Sequence, residues 1–362
     1  MSRDLAAALV LIAVSGTAAA GADTDVILYN GGPRHTGVYD TEPLLALTGL
    51  KWKFETIGEV TAPPLVYDGV VYFGDWKDHF YAVDLETGKE RWRHVGVEAA
   101  AGPPTIYKGV AYWGAREGTF YALDAKTGAE RWTYKTGGGV CYPPLIQDGL
   151  AYFTSHDKHF YVVDAETGEL VRRVEAETGS CASPSVYDDL ILISDWNGTI
   201  FAFEKALQKE RWRFAADQKV YHAPAILDGV AYFGSYDHHL YAVDAETGKL
   251  SWKFDAGEKI SMDPAVRDGV VYTNTQQSHL YALDAESGKV IWDLEKSGKV
   301  YSKPAIAGEV LYFGSGDHFL YALDPKTGAE KWKFEAQAMV CNPVVHQGRV
   351  LFGSGNALYV LE

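Results

Sequence analysis

The sequence predicts an all-β fold, an eight-bladed β-propeller of four-stranded blades that is closed by an N-terminal strand. Three observations support this prediction. The chain repeats itself every forty residues, each copy contains four short β-rich runs separated by turn residues, and the two chain ends together supply one complete copy. The 37 glycines and 23 tyrosines, set against only 3 methionines, favour turns and strands over helical packing. One ring therefore replaces the two or three domains that 362 residues would otherwise suggest.

Three columns of residues define the repeat. A tyrosine begins most copies of the repeated motif, a tryptophan follows eleven residues later, and a proline lies upstream of each tyrosine. The tyrosines are Tyr81, Tyr121, Tyr161, Tyr241, Tyr281, Tyr321 and Tyr359, with Phe201 in the fourth copy; the tryptophans are Trp52, Trp92, Trp132, Trp212, Trp252, Trp292 and Trp332, with Arg172 as the exception; the prolines are Pro64, Pro104, Pro144, Pro184, Pro224, Pro264, Pro304 and Pro343. Because proline donates no ladder hydrogen bond, the run that contains it is predicted to be a blade edge facing the central channel.

The four runs of a copy are predicted to be strands A to D, which in the first copy cover residues 60–67, 70–74, 80–84 and 90–94. Strand C follows strand B closely, at the spacing of a hairpin. An unpaired D strand at 50–54 precedes the first copy, and the chain ends after strand C of the last copy. The two ends are therefore expected to complete one blade, which removes the open seam of the ring.

The first twenty residues predict a signal peptide. Arg3 precedes an apolar run at 5–14 that is too short to span a bilayer, and Ala18, Ala19 and Ala20 fit cleavage after the last of them. A short membrane anchor is the alternative interpretation. With a cleaved signal, the protein is expected to be periplasmic or secreted and to have no transmembrane segment.

The chain is thus divided into a signal peptide at 1–20, a lead-in segment at 21–49 and the propeller at 50–362. Its 33 lysines and arginines are outnumbered by 48 aspartates and glutamates, which gives a formal charge of −15. Such a charge disfavours binding to a polyanion, so nucleic acid is not an expected partner. We expect a monomer.

The run Ala82-x-Asp84-x-x-Thr87-Gly88-x-x-x-Trp92 resembles the tryptophan-docking repeat of the pyrroloquinoline-quinone (PQQ) propeller superfamily, and it recurs in register over residues 50–362. The resemblance implies that the tryptophans of the repeat are structural and pack between neighbouring blades. The segment at 29–37 is similar to the lead-in of such propellers. The superfamily includes quinoprotein dehydrogenases, which hold PQQ and calcium, and BamB, a non-catalytic scaffold subunit of the outer-membrane protein assembly machine.

The dehydrogenase interpretation requires features that the sequence lacks. Those enzymes have an adjacent cysteine pair over the quinone, an aromatic floor, calcium ligands and a catalytic aspartate. Here no two cysteines are adjacent, no tryptophan lies in the strand A columns, and Asp263 is the only acid expected near the channel. We therefore expect no cofactor, with PQQ and calcium as the alternative.

The leading interpretation is an exported, non-enzymatic scaffold that resembles BamB and binds a protein partner in the cell envelope through its loop face. Length, repeat and predicted secretion signal fit this interpretation. One feature does not fit: the cysteine that carries the lipid anchor in BamB is missing here, because the first cysteine of the chain is Cys141. No catalytic or metal-binding residue is predicted.

One candidate set of residues is expected to line the channel, just before the proline column. It contains Cys141, Tyr142, Cys181, Tyr221, His222, Tyr301 and Cys341, and thus all three cysteines. The cysteines have three open interpretations: small apolar residues in packed positions, a disulfide between Cys141 and Cys181, or a copper site that also uses His222 and Met262. The blade assignments spread these residues around the ring, which disfavours a compact metal site.

A second candidate set lies at the tips of the hairpins between strands B and C. It contains Trp76, Arg116, His156, Trp196, Tyr236 and Gln276, with Gly316 and Gly355 in the last two copies. Such turns normally select small or polar residues, whereas tryptophan, tyrosine and arginine are typical of interface hot spots. The tips are therefore predicted to form a binding rim for a protein segment, with a glycan as the alternative ligand. In another interpretation each tryptophan folds flat over its own hairpin.

Overall fold

The computed structural model describes residues 26–95, 102–180, 182–222, 224–277, 279–296, 298–300 and 302–362. The expected signal peptide, Cys181 and Tyr301 lie outside these residues. The described chain forms eight antiparallel sheets, one for each copy of the repeat. This confirms the predicted all-β, eight-bladed propeller. Within the described ranges, no helix has the length and hydrophobicity needed to cross a membrane.

Each blade contains four strands in the order A-B-C-D. The A strands are Leu65–Tyr67, Thr105–Tyr107, Leu145–Gln147, Ser185–Tyr187, Ala225–Leu227, Ala265–Arg267, Ala305–Ala307 and Val340–His346. The B strands are Val70–Gly74, Val110–Gly114, Leu150–Thr154, Leu190–Ser194, Val230–Gly234, Val270–Asn274, Val310–Gly314 and Arg349–Ser354. The C strands are His79–Asp84, Thr119–Asp124, His159–Asp164, Thr199–Glu204, His239–Asp244, His279–Asp284, Phe319–Leu323 and Ala357–Leu361. The D strands are Glu90–Val95, Glu130–Lys135, Leu170–Glu175, Glu210–Ala215, Leu250–Asp255, Val290–Glu295, Glu330–Glu335 and, for blade 8, Leu50–Glu55.

Blade 8 is closed by the N-terminal strand, as predicted. Leu50–Glu55 pairs antiparallel with the C-terminal strand Ala357–Leu361, so that Leu50 faces Leu361 and Glu55 faces Ala357. In the described chain every C strand thereby pairs with a D strand, so that no blade lacks its outer strand.

Strand A is shorter than predicted. The sequence suggested residues 60–67 in blade 1, whereas the strand begins at Leu65. Pro63 and Pro64 have no N–H to donate, so the segment before the strand is a loop that leads to the channel. The predicted channel residues therefore lie on these loops, except in blade 8, where the strand extends from Val340 to His346 across a bulge.

The repeat tryptophans fasten each blade to the next. Each indole Nε1 donates to a backbone carbonyl 2.8–3.2 Å away, and in blades 1, 2, 4–6 and 8 the acceptor lies in the C-to-D turn of the next blade around the ring. Trp52 of blade 8 shows why the turn contains glycine. Gly88 has a φ of +67°, and a Cβ there would lie 2.8 Å from the Trp52 ring. The glycine thus serves both the turn and the docking of the ring.

Blade 3 is the exception, and its neighbour explains it. Arg172 replaces the tryptophan, and Gln208 of blade 4 replaces the glycine against which the ring would pack. The Arg172 guanidinium instead donates to the Gln208 carbonyl at 3.3 Å. The turn itself is a short 3-10 helix, Lys205–Leu207, whose Leu207 is buried. The two departures from the repeat therefore compensate each other at a single interface.

The lead-in segment runs along the inner edges of the A strands. Val26–Ile27 adds a fifth strand to blade 2. In blades 4 to 7 the lead-in carbonyls accept hydrogen bonds from strand A, at 2.8–2.9 Å: Val186 donates to Pro33, Ile226 to Arg34, Val266 to Thr36 and Ile306 to Gly37. In blade 2 and in blades 4 to 7, the strand A edges that the sequence predicted to face the channel are thus paired with the lead-in, because buried N–H groups need acceptors.

Leu44 of the lead-in replaces a missing turn. In blade 1, Tyr72 and Trp92 both donate to the carbonyl of Ala125, which lies in the C-to-D turn of blade 2. Blade 8 has no such turn, because its C and D strands are at opposite chain ends. Tyr312 and Trp332 of blade 7 instead donate to the Leu44 carbonyl, at 3.0 and 3.1 Å.

Replacing Gly37 with valine is expected to lower the free energy of unfolding by about 2–3 kcal/mol. Gly37 has a φ of +70°, and a Cβ would lie 2.5 Å from the Cβ of Ala265, so backbone strain and overpacking add together. Gly32 is the matched control, because its φ is +86° and a Cβ there meets nothing within 4 Å. Urea denaturation should show a loss of about 1 kcal/mol for Gly32→Ala. Equal losses in the two variants would contradict close packing of the lead-in.

Candidate functional site

A funnel opens on the face that carries the B-to-C hairpins. It has a volume of about 390 Å³. Trp76, Arg116 and His156 stand at its rim, and Tyr142 lies in its wall. Its floor is Lys303, which is only 6% exposed, beside the buried Tyr29 of the lead-in. We call this cavity the funnel.

The rim begins with Trp76 and Arg116. Trp76 is 40% exposed, and its indole Nε1 donates to the hydroxyl of Thr61, which also lines the funnel. The Arg116 guanidinium lies 4.9 Å from the centroid of a Trp76 ring. Thr61 and Arg116 therefore hold Trp76 at the funnel, and part of its ring remains exposed.

The rim continues as a chain of ring contacts across blades 3 to 6. The His156 ring lies 4.7 Å from the Trp196 ring, and Trp196 lies 6.3 Å from Tyr221. Tyr221 lies 4.8 Å from Tyr236, whose hydroxyl accepts a hydrogen bond from the Gln276 side chain at 2.8 Å. The predicted tip residues thus touch one another rather than standing alone, and Tyr221, predicted to line the channel, belongs to the rim.

Two lysines add positive charge to this part of the rim. The Lys219 ammonium lies 5.7 Å from the centroid of Tyr221, and the Lys259 ammonium lies 5.1 Å from that of Tyr236. Together with Trp196 they line a shallow depression of about 510 Å³ beside the funnel. A protein of net charge −15 therefore presents aromatic rings with cations at this face.

The rim is low on one side. In blades 7 and 8 the hairpin tips are Gly316 and Gly355, which carry no side chain. Lys303 and Cys341, from the same two blades, line the funnel on this side. The funnel is thus bordered by large side chains from blades 1 to 3 and is open toward blades 7 and 8.

A buried ion pair lies beneath the funnel. The Lys303 ammonium donates to Asp263 Oδ2 at 2.5 Å and to the Tyr29 hydroxyl at 2.6 Å. The side-chain amide of Asn30 donates to the same carboxylate oxygen at 3.1 Å. Burial alone would raise the pKa of Asp263, but the charge and hydrogen bond of Lys303, together with His222 and His35, hold that pKa below its ordinary value.

Two histidines flank this pair. His222 Nδ1 lies 3.5 Å from Asp263 Oδ1, and His35 of the lead-in bonds the Pro184 carbonyl through Nε2 at 3.2 Å. Burial lowers the pKa of both imidazoles to about 4, although Asp263 opposes the shift. Within the described chain, the Nδ1 atoms of His35 and His222 and the Oδ1 of Asp263 have no hydrogen-bond partner. Because both pKa values are about 4, both imidazole rings are neutral at pH 7.

The predicted channel residues divide into four groups, one of which is Tyr221 in the rim. Cys141, Tyr142 and Cys341 line the funnel. His222 is buried in the polar cluster, and the Tyr142 ring packs edge-on against it at 5.2 Å. Cys181 and Tyr301 lie outside the described residues, and with them the predicted disulfide from Cys141 to Cys181. Cys141 Sγ lies 3.2 Å from His156 Nε2, a contact that joins the channel set to the rim set.

Four residues of the site, Lys303, Tyr29, Asn30 and His35, were not predicted as site residues, although the last three lie in the lead-in segment 29–37. A signal for Lys303 was present, since it is the only lysine directly before the proline column. No repeat column could identify the other three, because the lead-in has no counterpart in the repeat.

The described residues do not form a calcium site in the funnel. Among the described residues, no three histidine, cysteine, aspartate or glutamate side chains form a group that could hold a metal ion. Asp263, the acid expected near the channel, is 1% exposed and already accepts hydrogen bonds from Lys303 and Asn30. No reaction step is therefore assigned to these residues.

Eight blades around a plugged channel, seven of them docked by a repeat tryptophan, define a protein of the PQQ-like propeller class. The family model described as outer membrane protein assembly factor BamB matches residues 41–102, 81–183, 161–261 and 237–362, which together cover the whole propeller. The chain belongs to this family.

Solved structures share the fold at low sequence identity. BamB from Moraxella catarrhalis aligns with a TM-score of 0.72 and 18% identity, covering 88% of this chain and 100% of that one. A europium-containing methanol dehydrogenase aligns with a TM-score of 0.79 and 14% identity, covering 92% and 97%. The computationally designed Ika8 protein gives 0.77 and 16%, covering 86% and 99%. A comparison with curated protein sequences gives no significant match. The structural likeness therefore concerns the fold alone.

Proposed function

We propose that this protein is an exported, non-enzymatic scaffold of the BamB kind, which binds an extended segment of a protein partner across the rim and into the funnel. The observation that carries this proposal is the continuous arc of rim side chains from His156 to Gln276, next to the exposed ring of Trp76. Membership of the BamB family and the predicted signal peptide support a periplasmic location.

The composition of the rim suits a protein ligand. Tryptophan, tyrosine and arginine provide most hot-spot energy in protein interfaces, because they bury a large area and carry a polar group at one end. The rim residues are already held by contacts with one another, such as that between Trp196 and Tyr221. Binding would therefore order few additional side chains, which lowers its entropic cost.

The low side of the rim gives an extended chain a path. A segment that lies on the aromatic arc can pass between Gly316 and Gly355 without meeting a side chain at either tip. The funnel volume of about 390 Å³ lies in the range of ligand pockets, so it can hold side chains of the bound segment. The cations of Arg116, Lys219 and Lys259 favour a segment that carries carboxylates.

Replacing Trp76 and Trp196 together with alanine is expected to weaken partner binding at least tenfold. Each ring offers its surface to the ligand, and a tenfold change corresponds to about 1.4 kcal/mol. A partner is first captured from cell-envelope extract with the wild-type protein and identified. Its dissociation constant is then measured with purified components.

The matched control is Val290→Ala with Ile291→Ala. Both side chains are about half exposed on the outer D strand of blade 6, far from the rim. This control should bind the partner as tightly as the wild type, and both double variants should keep a melting temperature within a few degrees of it. Equal binding by the tryptophan variant would refute the proposed surface. Binding of a glycan on a carbohydrate array, or saturable uptake of PQQ with calcium, would support the two alternatives instead.

A further inference from the structure

Every sulfur-containing side chain in the described part of the chain lines the funnel. These residues are Cys141, Met262, Met339 and Cys341, although the whole sequence has only 3 cysteines and 3 methionines. Sulfur is polarisable and makes favourable contacts with aromatic rings, and an unbranched methionine side chain adapts to the shape of its neighbour. The cavity of about 390 Å³ is near the small end of ligand pockets. It therefore suits one flat aromatic group better than a folded element.

Several polar groups that line the funnel already have partners within the protein. Asn342 Oδ1 accepts a hydrogen bond from the backbone N–H of Lys303, and the Asn342 side-chain amide donates to the Thr61 carbonyl. The Trp76 indole donates to the Thr61 hydroxyl. A strongly polar ligand would lose its hydration here without gaining enough hydrogen bonds in exchange. The wall therefore favours a ligand group with a large apolar surface.

The floor of the funnel combines a cation with two aromatic rings. The Lys303 ammonium lies 4.7 Å from the ring centroid of Tyr29 and 5.4 Å from that of Tyr142. Its charge is balanced by the buried carboxylate of Asp263. A ligand carboxylate would therefore gain little from Lys303 and would lose its hydration, whereas the face of another aromatic ring is still attracted by the ammonium.

The floor also offers one hydrogen-bond donor. A lysine ammonium has three N–H groups, and those of Lys303 include one that bonds Asp263 and one that bonds the Tyr29 hydroxyl. The third has no acceptor among the residues that the structure describes. A phenol hydroxyl at the far end of a bound ring can accept it, and a phenylalanine ring cannot.

We propose that the funnel is an anchor pocket for one aromatic side chain of the bound segment, and that it takes tyrosine in preference to phenylalanine. The ring lies against the methionine side chains and Cys341, and its hydroxyl accepts the third N–H of Lys303. The inference rests on the proposed function, because the segment enters the funnel from the rim. Arg116, Lys219 and Lys259 favour acidic residues at the rim, so the ligand motif is a tyrosine flanked by glutamate or aspartate.

The test uses the methionines as reporters of the funnel. With only 3 methionines in the chain, ¹³C labelling of their methyl groups gives one NMR signal each, and Met262→Leu and Met339→Leu assign the two that matter. The titrants are four capped heptapeptides in which glycines and two glutamates flank a central tyrosine, phenylalanine, leucine or glutamate. The tyrosine peptide should shift both methyl signals through its ring current.

The same titrations give the affinities. The tyrosine peptide should bind at least tenfold more tightly than the leucine peptide, because sulfur and the ammonium attract an aromatic ring. It should bind at least threefold more tightly than the phenylalanine peptide, because only tyrosine accepts the hydrogen bond from Lys303. The peptide with a central glutamate should bind more weakly than the leucine peptide.

Two variants change the pocket in different ways. Met339 lies in a loop and is partly exposed, so Met339→Trp fills the funnel with little strain and should weaken binding of the tyrosine peptide at least tenfold. Met339→Leu is the matched control, because it keeps the side-chain volume and should bind within threefold of the wild type. Lys303→Met with Asp263→Asn removes the donor and should bind the tyrosine and phenylalanine peptides equally. Melting temperatures show which variants remain folded.

The proposal is overturned if the tyrosine peptide shifts neither methionine signal, or if it binds no more tightly than the leucine peptide. Either result leaves the scaffold proposal standing, because that proposal is tested by partner binding to the variant that lacks Trp76 and Trp196. Shifted methionine signals together with unchanged partner binding by that variant would support the pocket and refute the rim.

Discussion

Replacing Lys303 with methionine is expected to lower the free energy of unfolding by about 3–5 kcal/mol. Lys303 provides the only positive charge within hydrogen-bonding distance of Asp263 in the described chain, and both side chains are buried. Methionine preserves most of the side-chain volume but leaves the carboxylate without its cation. The carboxylate must then become protonated or remain as an uncompensated charge, and either state destabilises the fold.

The second half of this experiment is the double variant Lys303→Met with Asp263→Asn. It removes both charges, while the new amide oxygen can still accept the hydrogen bond from Asn30. It should recover at least half of the lost stability, because a neutral pair costs far less to bury than a single charge. Urea denaturation at pH 7 measures both variants. If the single variant is as stable as the wild type, the ion pair does not support the channel plug.

Lowering the pH from 7 to 5 is expected to reduce the free energy of unfolding by about 4 kcal/mol. His35 and His222 have folded-state pKa values lowered to about 4 by burial, whereas an unfolded histidine has a pKa near 6.5. Below pH 6.5 the unfolded chain therefore binds two protons that the folded chain does not. Each histidine lowers the free energy of unfolding by about 1.4 kcal/mol per pH unit in this range. The stability that comes from keeping the two rings neutral is therefore complete above pH 6.5 and is lost as the pH falls toward 4.

The histidines can be separated by substitution. The charged and titratable groups that face them are Asp263, Lys303, Tyr29 and Tyr142. His222→Gln should remove nearly half of the pH slope between 6.5 and 5, and the additional change His35→Gln should leave only a small slope, to which His346 contributes because burial also lowers its pKa. Denaturation curves at half-unit steps of pH provide the measurement. A slope that is unchanged in the double variant would assign the acid sensitivity to other groups.

The fold was predictable because its signals are local and repeated. Proline in each copy identified the blade edge, and the repeat tryptophan with the turn glycine identified the contact between blades, as at Trp52 and Gly88. Closure followed from counting strands at the two chain ends. Strand A was predicted too long, because alternating apolar residues continue through 60–64 although Pro63 and Pro64 prevent pairing there.

The candidate site was only partly predictable. The hairpin tips were recognisable because Trp76 and Trp196 contradict the usual preferences of turns. Their contacts with neighbours, such as that between Trp196 and Tyr221, depend on the positions of different blades. The approach of Cys141 to His156 likewise joins residues from two different columns of the repeat.

The sequence by itself determined the class of this protein, the number and order of its strands and the closure of its ring, because these depend on periodic positions and on hydrogen bonds that proline cannot make. Only the tertiary structure decided what fills the channel. Lys303, Asp263 and the lead-in residue Tyr29 lie far apart in the sequence, and a ring directs one residue from each blade to a common centre. Convergence at a centre leaves no periodic signal, since each contributing residue is a single departure from its column.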